Sequence, residues 1–285
     1  MFGERVYYLL GSDASKLFWS SSNDKLNAED LYANITVPIF GKGVAFDIPN
    51  KVFSEQKMMA KRGLTQKRFE TYTAKVEEEC RNYINDRWKG DSGDDNLFEA
   101  MAEMIVFTAT RCLHGQETRD AFTADTAALY SDLDGGFSPL AWLFPNWIPF
   151  PSFLKRDRAH VELKKRFNAV IDARRKVDQT EATDLLQTFT TSHYEKVNDK
   201  RALTNDEVSG LLIALLMAGQ HTSSTTSTWF GFFMWSVCLL RGRSCLAHHL
   251  LSCAPHNASV VLATENRHAD HAAPCAPAPC PMIHQ

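Results

Sequence analysis

The 285-residue chain has no surplus of basic charge: 31 Lys and Arg face 34 Asp and Glu, for a formal net charge of −3. That leaves no electrostatic footprint for a nucleic acid. The first residues lack a cationic region followed by a long apolar core, so neither a signal peptide nor an N-terminal anchor is expected. Cys-x2-Cys and His-x3-His spacings are missing too, which argues against structural zinc. What remains is 44% hydrophobic and 23% charged, and long enough to bury a substantial core as one large domain or two.

Charge is also missing locally, and that gap organises the chain. Between Glu207 and Arg241 no Asp, Glu, Lys or Arg occurs over 33 residues. Thr204 and Glu207 have the spacing of a capping box, so a helix is expected to begin near Asn205. Residues 208–217 are apolar on every face, the mark of a helix buried all round, in a core or in lipid. At ~1.5 Å per residue the uncharged run is roughly 50 Å long, well beyond a ~30 Å hydrocarbon core. Its middle holds Gln220, His221 and unbroken hydroxyls from Thr222 to Thr228, which are costly in lipid. A core helix is therefore the leading expectation, with a membrane span still open. Ser and Thr compete for backbone hydrogen bonds and can bend a helix, opening a groove for water or a small ligand. A hydroxyl-rich packing seam explains the same residues equally well, and His221 alone reads first as a core histidine.

Elsewhere, residues 4–10 have the composition of a strand, and Ser12 or Asp13 can cap a short helix to Trp19. Residues 26–32 read as helix, after which Pro38, Gly41, Gly43 and Pro49 predict an irregular loop. That loop carries Tyr32, Ile35, Phe40, Val44 and Phe46, too apolar to leave in water, so it should pack on core or ligand. Two charged helices follow, separated near residues 63–66, then buried helices over 97–113 and 121–133. Over 138–153 prolines alternate with Trp142, Phe144, Trp147, Phe150 and Phe153, which either cap a core or lie at a membrane interface. Helices over 155–176 and 184–194 complete a mostly α architecture. Past residue 240 the composition turns to Cys, His, Ala and Pro without periodicity, and a disordered tail is expected.

Two stretches are recognisable together. YANITVPIFGKGVAFD at 32–47 and AGQHTSS at 218–224 resemble the two substrate-recognition signatures of sterol 14α-demethylases, members of the cytochrome P-450 superfamily. They stand in order, separated by helices that include LYSDLDGGFSPLAWLFPNW, and the likeness runs from about residue 5 to about 233. The resemblance implies a mainly α, incomplete cytochrome P-450 fold: a partial domain over 1–240 and an unrelated tail over 241–285. It implies a haem-thiolate monooxygenase that removes the 14α-methyl of lanosterol-type sterols with O2 and electrons passed from NADPH by a reductase. The cytosolic face of the endoplasmic reticulum membrane is the implied location. At the matching positions Thr222 would hydrogen-bond the iron-bound dioxygen or its water. His221, paired with Asp134, would pass protons inward. Phe40, Phe46, Phe137 and Ala218 would line the sterol pocket, while Tyr32 would donate to a haem propionate and Lys57 would pair with one by charge.

Some family features are missing. The axial loop F-x-x-G-x-x-x-C-x-G, whose thiolate drives O–O cleavage, is not found: Cys238 and Cys245 lack the flanking Phe and Gly, and Cys112 falls in a buried helix. Glu78 and Arg81 match the letters of the family's E-x-x-R pair but in an early helix. The family's membrane anchor and first strands are expected to be absent too. The expectation is a sterol 14α-demethylase by resemblance that is inactive as written. The alternative is a non-catalytic isoform or membrane-associated fragment that binds sterol or partners weakly.

Overall fold

The computed structural model describes residues 7–22, 25–89, 93–176, 184–197 and 200–241. Among these residues the structure is helical, the only β feature being an isolated antiparallel bridge between His193 and Ala202. Residues 7–10 form no strand: they have no neighbouring strand to pair with among the described residues, and Tyr7 and Tyr8 point into solvent. Residues 1–6 and 242–285 lie outside the described residues, and with them the expected start of that strand and the expected tail.

Helix α1 (Ser12–Ser20) is short and surface-bound. Helix α2 (Glu29–Phe40) then runs straight through Pro38, where an irregular loop was expected. The reason is a substitute donor. Pro38 has no N–H for the carbonyl of Asn34, and Asn146 Nδ2 donates to that carbonyl from 2.7 Å instead. Only residues 41–49 remain irregular, with one 3-10 turn (Ala45–Asp47). Helices α3 (Asn50–Gly63) and α4 (Gln66–Arg87) break where expected.

The buried helix expected over 97–113 is α5 (Leu97–Ala109), capped by Asn96, whose side chain accepts from the amides of Phe98 and Glu99. It continues as a π-helical turn (Thr110–His114). After α6 (Gln116–Asp120) and α7 (Ala124–Asp134) come the short α8 (Pro139–Leu143), the long basic α9 (Pro151–Lys176) and α10 (Leu185–Thr191). The aromatic segment divides: Phe150 and Phe153 stack edge to face against the core, while Trp147 is 80% exposed.

Helix α11 (Asn205–Arg241) begins with the expected capping box, Glu207 N–H donating to Thr204 Oγ1 at 3.2 Å and Thr204 N–H to Glu207 Oε2 at 2.8 Å. It packs along α5, and α9 lies against α2, α7 and α11. Ile35, Ile39, Leu163, Phe167, Leu212 and Ile213 are fully buried where these helices meet, each worth about 1.5–3 kcal/mol of burial. Among the described residues no helix is long and apolar enough to cross a membrane.

Candidate functional site

The hydroxyl run of α11 is divided by face. Ser224 and Thr228 are buried, and Gly231 sits so close to α5 that a Cβ there would meet Leu97 Cδ2 at 3.1 Å. That side is a packing seam. Ala218, His221 and Thr222 lie on the open side, in line with exposed Trp229 and Phe233 two and three turns further on. The hydroxyls bond back to their own helix, Thr222 Oγ1 to Ala218 O at 2.8 Å and Thr226 Oγ1 to Thr222 O at 2.8 Å. No ligand is needed to satisfy them, and Thr222 keeps its lone pairs for a donor on the open side.

Asp134 closes α7, and Gly135 and Gly136 turn the chain. A Cβ on Gly136 would come 2.4 Å from Arg156 Cδ, so glycine is what lets Arg156 pass beneath this turn. Arg156 is only 1% exposed. Its Nη1 donates to Asn146 Oδ1 at 2.7 Å, its Nη2 reaches Asp157 Oδ1 at 2.7 Å, and its guanidinium lies 4.6 Å from the centre of the Phe153 ring. One buried cation thus orders the amide that caps α2 and supports the turn carrying Asp134 and Phe137. Above that turn, Asp134 Oδ2 comes 3.8 Å from His221 Nδ1. This is an ion-pair distance for an imidazolium and too long for a hydrogen bond. Both side chains are open to water, at 39% and 64% exposure.

The remaining expected residues gather in two aromatic groups. Phe40 and Phe137 meet with ring centres 6.2 Å apart. Tyr32 stacks on Phe46 at 5.0 Å, and Phe46 leans on Phe53 at 5.6 Å. Lys57 Nζ sits 4.5 Å over the Phe53 ring, which brings the two expected propionate partners to one cluster. Trp142 completes it, edge-on to Tyr32 at 5.8 Å. Phe53 was missed in the sequence, although it stands one helical turn before Lys57 and the pair spacing is a usable signal, and Trp142 was expected only as part of the aromatic segment. Arg156 had no signal at all, since a cation in a basic helix reads as a solvated face. His160, whose Nδ1 lies 2.8 Å from the carbonyl of Ile39 at the end of α2, was missed for the same reason.

Two cysteines are free among the described residues, and neither fits the axial place of a haem iron. Cys112 is buried on the π-helical turn with its Sγ 3.9 Å from the carbonyl of Tyr72, and burial pushes its thiol up to about 11. Burial and then Glu79 push Cys80 up as well. An iron-ligating cysteine needs the opposite, a stabilised thiolate. The side chain of Cys238, Cys245 and the other Cys and His of the last 44 residues lie outside what is described. Neither cysteine whose side chain is described therefore offers an axial thiolate.

The cytochrome P450 family profile matches residues 1–236. Lanosterol 14-alpha demethylase of Homo sapiens is 52% identical over 234 residues, which cover 82% of this chain and 45% of that protein. The Schizosaccharomyces pombe protein named lanosterol 14-alpha demethylase erg11 is 39% identical over 230 residues, 80% of this chain and 46% of its own. The chain thus spans about half the length of the curated relatives it matches. Among solved structures, retinoic acid bound cyanobacterial CYP120A1 superposes with a TM-score of 0.57 over 72% of this chain and 43% of its own, at 18% identity. That likeness concerns the fold alone. With the helical core, the paired signature segments and the family profile in agreement, the chain belongs to the cytochrome P450 family.

Proposed function

We propose that the chain carries the sterol-facing, distal half of a sterol 14α-demethylase, and that it binds a lanosterol-type sterol without turning it over by itself. The observation that carries this reading is the approach of His221 to Asp134 at 3.8 Å from helices far apart in sequence. The names of its 52% identical relatives support the sterol class. In this reading Phe40 with Phe137 and Phe46 with Tyr32 form the apolar wall on which a sterol's flat rings lie, and Ala218 leaves room beside them. Asp134 and His221, 3.8 Å apart, stand beside Thr222, where an imidazole can hand a proton on. Thr222, its own hydrogen committed to Ala218 O, accepts from water or from the imidazole N–H and so holds that donor at the open face.

In the complete enzyme Tyr32 and Lys57 would meet the carboxylates of a haem, and a reductase would supply electrons; neither cysteine whose side chain is described would give that haem its thiolate. Exposed Leu143, Phe144 and Trp147 would rest on the endoplasmic reticulum membrane from which sterol arrives.

A titration of the purified chain with a fluorescent triene sterol tests the reading. Energy transfer from tryptophan should saturate, be competed by lanosterol, and weaken about tenfold in Phe137→Ala, while Asp134→Ala leaves it unchanged. Failure of lanosterol to compete, or a thiolate-haem band from the chain reduced under carbon monoxide, would overturn it.

A further inference from the structure

The segment 41–47, which follows Phe40 and carries Phe46, turns through three positive φ angles, one of them at a residue that is not glycine. Gly41 and Gly43 have φ of 90° and 79°, and Ala45 has φ of 52°, a left-handed conformation that is unfavourable for a residue with a side chain. Such geometry persists only where its surroundings hold it. The surroundings here form a chain of directed hydrogen bonds that starts at the cap of α11.

Glu207, 5% exposed, is a carboxylate and can only accept. It takes bonds from Arg201 Nη1 and Nη2 at 2.7 and 2.8 Å, from Thr204 N–H at 2.8 Å, and from the Tyr194 hydroxyl at 2.9 Å. Because Tyr194 must donate to Glu207, its oxygen is left to accept, and Gln56 Nε2 donates to it at 2.9 Å. The other hydrogen of the same amide goes to the carbonyl of Gly43, also at 2.9 Å. The charge on Glu207 therefore sets the orientation of every group out to Gly43. Gly43 itself lies against Glu207, where a Cβ would meet Glu207 Cγ at 3.2 Å, and its N–H is held by Asp47 Oδ2 at 2.7 Å.

We propose that Tyr194 and Gln56, acting through Glu207, are positioning residues that hold segment 41–47 and so aim Phe40 and Phe46. Starting α11 does not require them, since Thr204 and Arg201 already engage the Glu207 carboxylate. Their reach toward Gly43 is what the helix cap leaves unexplained. What the held segment binds rests on the sterol reading above; that it is held by this network does not.

The test uses Tyr194→Phe and Gln56→Met, each read by amide hydrogen exchange and by the sterol titration. Each variant removes two hydrogen bonds of the network, which should raise exchange over residues 41–47 at least about tenfold, leave α9 unchanged, and weaken sterol binding by a comparable factor. The double variant should be no worse than either single one, because both cut the same chain. Unchanged exchange over 41–47 overturns the proposal. A parallel rise in α9 does so too, since it marks a merely structural role. Faster exchange over 41–47 with sterol affinity intact refutes the aiming of Phe40 and Phe46. If the unaltered chain binds no sterol, the sterol reading falls instead, and exchange alone decides whether the network holds the segment.

Discussion

Two glycines of α11 separate close packing from helix propensity, because the same substitution should act on them with opposite sign. At Gly210 a Cβ would stand 2.6 Å from the carbonyl oxygen of Phe40 and 3.0 and 3.2 Å from the two γ-methyls of Val44. At Gly219 it would meet nothing within 4 Å. Alanine gains about 0.5–1 kcal/mol over glycine in a helix interior at either place. At Gly210 the obstacle is backbone, which cannot rotate away, so α11 and the end of α2 must part. Overpacking of that kind costs about 1–3 kcal/mol, and the net effect is a loss of about 0.5–2 kcal/mol. At ~2–4 °C per kcal/mol for a chain of this size, Gly210→Ala should melt roughly 1–8 °C lower and Gly219→Ala roughly 1–4 °C higher than the unaltered chain. Thermal melts followed by circular dichroism measure both. Changes in the unfolded chain largely cancel in the difference between the two variants. A Gly210→Ala chain that melts at or above the unaltered protein would refute the close approach of residues 40–44 to α11, and with it the placement of Phe40.

Other predictions follow from single groups. His114 is fully buried with neither ring nitrogen partnered, and burial, then Arg174, holds it down to about 3. The unfolded chain protonates it near 6.5, so its effect on stability is nil above that pH and grows as pH falls toward about 3. Wild-type stability should drop by about 2 kcal/mol more than that of His114→Phe between pH 7 and 5, measured by urea denaturation; equal pH slopes would count against a neutral buried imidazole. Asn146→Ala should cost about 2–4 kcal/mol by freeing both the Asn34 carbonyl and a hydrogen of buried Arg156, and less in a Pro38→Ala background, where residue 38 regains an N–H; a double-mutant cycle without coupling argues against the substitute cap. Trp147→Ser should weaken binding to phospholipid vesicles several-fold and leave the melting temperature unchanged, and equal binding would remove the aromatic segment from the membrane contact.

Local signals in the sequence placed most of the helices. The capping box at Thr204 and Glu207 formed as expected, and the break between α3 and α4 lies where Gly63 falls. Side chains of each signature segment also met other residues expected at the site: His221 reached Asp134, Phe40 reached Phe137, and Tyr32 reached Phe46 within its own segment. Pro38 misled because a proline reads as a break unless a distant side chain replaces its N–H, and Asn146 is distant. Arg156 misled because its burial depends on a missing Cβ at Gly136, twenty residues earlier.

The sequence by itself determined the family and the start and composition of α11. Caps, periodicity and motifs are properties of neighbours along the chain, so they are legible without a fold. Only the tertiary structure decided which hydroxyls of α11 are seam and which are open, that a single buried arginine supports the Asp134 turn, and that Glu207 reaches through Tyr194 and Gln56 to Gly43. Each of those depends on which side chains from remote segments arrive at the same place, and no local pattern carries that information.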